Sequence, residues 1–128
     1  MSLKRMIEFS KRTANSFKYA ISGLRTSFKT ERNLRIHVLI MFLVIIAGIV
    51  LNIRIWEWTV CIILFGAVIS SELMNTAAEK LVDIVMPYKN EKAKLVKDIA
   101  ASAVLVWAIV AAIVGIIIFL PKVILYLK

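Results

Sequence analysis

Residues 58–83 read WTVCIILFGAVISSELMNTAAEKLVD. Trp58 to Ser71 is uncharged and reads as membrane, and the acidic residues follow directly from Glu72. On a helix turning about 100° per residue, Glu72, Asn75, Glu79 and Asp83 fall within roughly 80° of one another. Three carboxylates and an amide thus form one stripe. Acidic side chains near a bilayer are costly unless compensated, so this stripe calls for a cation, a proton to move, or both.

The helix carrying the stripe is expected to run from Ile55 to Met86, where Pro87 stops it. About 32 residues make roughly 48 Å of helix, against a hydrocarbon core of about 30 Å. The helix must therefore emerge on the far side. Glu72 lies about 21 Å along from Trp58, still within the span, while Glu79 and Asp83 reach the surface.

The chain around it has 128 residues, is 61% hydrophobic and carries a net charge of +9. A soluble domain is nearer 45–50% apolar, roughly, so the expectation is one small all-α integral membrane domain over 1–128. In a soluble protein the charge would suggest nucleic acid. Here the basic residues cluster beside apolar runs, so anionic lipid and topology explain them and no nucleic-acid partner is expected. The single cysteine, Cys61, sits mid-span and reads as a buried apolar residue.

Upstream, residues 4–29 are expected to form an amphipathic surface helix. Phe9, Phe17, Leu24 and Phe28 line one side, and Lys4, Lys11, Lys18 and Arg25 recur every seven residues on the other. An aromatic apolar face opposite a basic face describes a helix lying in the membrane interface. Glu31 and Arg35 have the spacing of a helix-surface ion pair, and His37 reads as an interfacial hydrogen-bonding group. The first span is expected over 34–53, with Trp56 and Trp58 as interface anchors beside Glu57. The second covers 55–86. After the polar loop Tyr88-Lys89-Asn90-Glu91-Lys92, a third covers 95–120, opening near Lys97-Asp98 and rich in small residues from Ala100 onward.

Of the 17 basic residues, nine precede the first span, one (Arg54) lies in the first turn, five fall between Lys80 and Lys97, and two follow the third span. The positive-inside rule places the N-terminus in the cytoplasm and the C-terminus outside. Glu31, the stripe and Lys97-Asp98 then meet at the cytoplasmic interface. Carboxylates with a lysine and an amide are the ingredients of a magnesium–nucleotide site. A carboxylate at lipid level suits a general base acting on a hydroxyl. The competing reading is a structural network holding helix ends together. The glycines, Gly23, Gly48, Gly66 and Gly115, are too scattered for a Gly-rich phosphate loop. No Cys/His cluster suits zinc, and no Ser–His–Asp set is apparent.

The block Glu72-x-x-Asn75-Thr76-Ala77-x-Glu79 with Asp83, followed by Lys97-Asp98 and an Ala/Ser-rich helix, resembles the small bacterial membrane lipid kinases. These are the prokaryotic diacylglycerol kinase and undecaprenol kinase family. Gly23-Leu24-Arg25, Glu31 and Arg35 resemble its N-terminal region. The resemblance implies a homotrimer of three-span protomers with an N-terminal surface helix, and active sites between protomers. It implies transfer of the γ-phosphate of ATP, with Mg²⁺, to a lipid hydroxyl at the inner face of the bacterial cell membrane. It further implies Glu72 as the general base and Glu31 and Glu79 as metal-bridging carboxylates. Arg12, Tyr19, Glu31, Glu79, Tyr88, Lys89, Asn90, Lys97 and Asp98 would meet the nucleotide. Arg25, Arg35, Asn75, Asp83 and Ser102 would support the site or the lipid. Ala78 and the segment Asn15-Ser16-Phe17-Lys18-Tyr19 look closer to the polyprenol branch, which favours undecaprenol over diacylglycerol. A rival from another class is a non-catalytic membrane scaffold or small transport subunit.

Overall fold

A computed structural model describes residues 2–128, all helical apart from short turns. Four helices follow in order: α1 (Leu3–Thr30), α2 (Arg32–Val50), α3 (Ile55–Val85) and α4 (Glu91–Tyr126). The last three are each long and apolar enough to cross a membrane. The chain divides into two compact units, Met1–Arg32 and Asn33–Lys128.

The first unit is essentially α1. None of its described residues is buried, and Phe9, Phe17, Leu24 and Phe28 are all exposed. The helix ends at Glu31, whose backbone N–H donates to the Ser27 carbonyl at 2.8 Å.

In the second unit, α2 closes with a Schellman turn. The Ile53 N–H donates to the Gly48 carbonyl at 3.0 Å and the Asn52 N–H to the Ile49 carbonyl at 3.2 Å. That geometry needs a left-handed residue. Asn52 supplies it at φ 50°, asparagine being one of the few side chains that tolerates the region. The turn brings Trp58 of α3 back against Gly48. A Cβ at Gly48 would lie 2.6 Å from the Trp58 ring and 3.1 Å from the Ile53 side chain. Gly48→Ala therefore overpacks this corner and is expected to cost about 1–3 kcal/mol. Thermal unfolding in detergent micelles checks this, with Trp58→Phe restoring part of the loss in the double variant.

Helices α3 and α4 pack along their length. An ion pair fastens each end of the pair. At one end Lys122 Nζ of α4 lies 3.1 Å from Glu57 Oε2, which also accepts the Arg54 N–H at 2.7 Å and so caps the start of α3. At the other end Lys97 of α4 pairs with Asp83 of α3. Between them, Cys61 packs with Ile53 and Ile118 in a small core bordered by Val44, Phe65 and Val114. Cys61 is a buried free thiol, as its apolar setting suggested.

Boundaries of α2 and α4 differ from the sequence expectation: α2 covers Arg32–Val50 rather than 34–53, because the Asn52 turn closes it. Helix α4 starts at Glu91 rather than near Lys97, because Asn90 caps it. The Asn90 side-chain oxygen accepts the Lys92 N–H at 2.9 Å and the Ala93 N–H at 3.1 Å. The helix also continues through Pro121 to Tyr126. Proline removes one backbone donor, but near a helix end in an apolar span the helix remains the best way to pair the other backbone groups. The end of α3 matches expectation: Met86 caps it just before Pro87.

Candidate functional site

Along α3 the buried residues are Glu57, Cys61, Leu64, Val68, Glu72 and Thr76. They recur every three or four residues, so they form one face. Glu72 thus occupies a core position at the end of an apolar stripe, with a relative exposure of 3%. A carboxylate so deeply buried needs a hydrogen-bonding partner. His37 of α2 provides one, its Nε2 lying 3.1 Å from Glu72 Oε1. Sequence reasoning left His37 as an interfacial group. The signal was available in the topology. Counting helical rise in both directions from the Asn52 turn brings His37 and Glu72 to within about one turn of the same depth.

One turn further on, the Asn75 amide donates to Glu79 Oε1 at 3.3 Å. The Asn75 side-chain oxygen is buried and has no hydrogen-bond partner among the described residues. A buried acceptor of this kind awaits a donor or a cation. Next on the stripe, Asp83 holds Lys97. Asp98 points elsewhere and pairs with Lys94 on its own helix at 2.6 Å. The adjacent pair expected at Lys97-Asp98 is therefore split between two carboxylate partnerships.

Two concavities flank these residues. A cleft of about 610 Å³ surrounds the α3–α4 loop and is edged by Asp83, Tyr88, Lys89, Asn90, Lys94 and Lys97. Three lysines against two carboxylates, Asp83 and Glu91, leave a small positive excess at its rim, which favours an anionic ligand. The second cavity, of about 320 Å³, lies among α2, α3 and α4 and includes Met41, Leu64, Val68, Ala108 and Ala111. The small side chains of α4 leave this space, and His37 is its polar end.

The remaining expected residues are placed less tellingly. Arg12, Tyr19, Arg25 and Glu31 belong to the first unit. Tyr19 is exposed, and Glu31 Oε1 accepts the Thr30 hydroxyl at 3.2 Å. Arg35 is exposed on α2. The Ser102 hydroxyl donates to the Ile99 carbonyl of its own helix at 2.6 Å.

Among the described residues no group of three or more His, Cys, Asp or Glu side chains converges as a metal cage. The second unit instead offers Glu79 and the unpartnered Asn75 oxygen on one helix face. Mg²⁺ takes few protein oxygens and completes its shell with phosphate and water. This donor set therefore fits a magnesium ion that arrives with a nucleotide.

A family model described as prokaryotic diacylglycerol kinase matches residues 18–119. A Bacillus subtilis protein named undecaprenol kinase is 40% identical over 107 residues, covering 84% of this chain and 87% of its own length. A Synechocystis protein named diacylglycerol kinase is 41% identical over 107 residues, covering 83% of this chain and 61% of its own length. The matched region includes α2, α3 and nearly all of α4.

Proposed function

Because the chain belongs to the prokaryotic diacylglycerol kinase family, a family of membrane lipid kinases, we propose that it transfers the γ-phosphate of ATP to undecaprenol. The observation that carries this reading is the buried Glu72 carboxylate, held by His37 at the polar end of an apolar cavity. A lipid alcohol is the substrate that needs both parts. Its chain is apolar, and its hydroxyl must lose a proton where water is scarce.

In this account the lipid chain lies along the apolar cavity and presents its hydroxyl to Glu72. The carboxylate takes the hydroxyl proton as the oxygen attacks the γ-phosphorus and the bond to the bridging oxygen breaks, releasing ADP. The lysines of the loop cleft bind the nucleotide's anionic groups, with Lys97 steadied by Asp83. Glu79 and Asn75 would hold Mg²⁺, which would supply charge neutralisation on the phosphates. Phosphoryl transfer depends mainly on such positioning and electrostatics. Helix α1, with its exposed aromatic residues and its lysines, would lie in the cytoplasmic interface of the cell membrane. The distribution of basic residues supports an N-terminus inside and a C-terminus outside. The exposed small residues Ala101, Ser102 and Ala103 on α4 support close packing between copies in a homotrimer.

Undecaprenol is preferred to diacylglycerol because the undecaprenol kinase of B. subtilis aligns over most of both chains. Competition between the two lipids, supplied together with ATP and Mg²⁺ to the purified protein, tests the choice. The expected result is a higher kcat/KM for undecaprenol. Predominant formation of phosphatidic acid would assign the diacylglycerol activity instead.

A further inference from the structure

We propose that His37, which lines the apolar cavity, is a positioning residue for Glu72, restraining the orientation of its carboxylate. The proposal rests on the reading of Glu72 as the base. The geometry is an Nε2–Oε1 distance of 3.1 Å between side chains on different helices. Glu72 is almost fully buried, while His37 is partly open, with 21% of its side chain exposed. An ionised carboxylate only accepts, so the imidazole Nε2–H donates.

The terminal torsion of a glutamate is broad and does not hold the oxygens in one place by itself. A base that must meet a hydroxyl inside a narrow cavity needs them held. His37 can do this because it lines that cavity as well as touching the carboxylate. The imidazole therefore restrains Oε1 and, with it, the direction in which the base faces. A histidine that merely satisfied a buried acid would affect folding and leave turnover of the folded protein untouched.

The test uses the full chain reconstituted in lipid vesicles, with kcat and KM for ATP measured for wild type, His37→Leu, His37→Gln and Glu72→Gln. His37→Leu is expected to lower kcat about 10- to 100-fold, the size of effect that a misplaced catalytic group produces. KM for ATP should stay within about 2-fold, because the nucleotide cleft lies further along α3. In His37→Gln the side-chain amide nitrogen takes the place of Nε2, so most of the lost kcat should return. If His37→Leu does not assemble, His37→Asn replaces it, since that amide reaches only to the position of Nδ1. Its kcat should fall well below that of His37→Gln.

The proposal is overturned if the donor-deficient variant keeps the wild-type kcat, if only KM for ATP changes, or if His37→Gln is equally impaired. Glu72→Gln separates this from the underlying reading. Turnover in Glu72→Gln refutes the base itself, whereas an inert Glu72→Gln beside a fully active His37→Leu refutes only the positioning role.

Discussion

Glu72→Gln is expected to lower turnover by about 10²- to 10⁴-fold, the contribution of a positioned general base, while the protein remains folded and assembled. The substitution removes the basic oxygen but little else. Glutamine has nearly the same volume, and its amide oxygen still accepts from the His37 Nε2–H now facing Glu72. Burial does not become a folding problem, because a neutral amide costs less to desolvate than a carboxylate. Gel filtration and thermal unfolding should therefore match wild type while phosphorylated lipid fails to accumulate. Binding of ATP should also survive, since the loop cleft contains no part of Glu72. Wild-type turnover in this variant would remove the base from the mechanism.

Lys97→Met should have the second-largest effect, a fall of about 10²- to 10³-fold in kcat/KM for ATP, as seen when a donor to developing charge is deleted. The ion pair between Lys97 and Asp83 offers the main structural alternative. Both partners are more than a third exposed. An exposed pair of this kind is worth no more than about 1 kcal/mol to stability. Removing the lysine should thus leave unfolding almost unchanged and act on the reaction alone. Asp83→Asn sharpens the comparison. It breaks the same pair but keeps the cation, so its kinetic effect should be much the smaller of the two. Equal losses in both variants would make the pair, rather than the lysine, the functional unit. Steady-state kinetics over a range of ATP concentrations checks this.

The parts of the molecule that could be read from the chain are those set by local chemistry. The Asn52 turn, the stop at Pro87 and the stripe from Glu72 to Asp83 each follow from residue type and helical period. Burial of Cys61 follows from its apolar neighbours. What escaped depends on partners distant in sequence. His37 looks like an ordinary interfacial histidine until α2 folds back on α3 and sets it against Glu72. Glu57 reads as a charge in an outer turn, yet it is buried against Lys122 from the far end of α4. Helix α4 overran its expected limits for two local reasons. The Asn90 cap sets its start at Glu91, and the helix continues past Pro121 to Tyr126. The sequence set Lys97-Asp98 near the stripe, and Lys97 does reach Asp83, but the separate partners of the two residues depend on helix geometry. On a helix neighbouring residues point about 100° apart, and here Lys97 turns to Asp83 while Asp98 turns to Lys94.

The central claim is that this membrane protein moves phosphate from nucleotide to lipid alcohol. It is tested most directly by giving the purified, reconstituted protein γ-labelled ATP, Mg²⁺ and undecaprenol, then separating the organic and aqueous phases. The account predicts label in a lipid monophosphate, formed only when metal and lipid are both present and missing with Glu72→Gln. Label confined to ATP and inorganic phosphate, with undecaprenol and diacylglycerol alike, would contradict it.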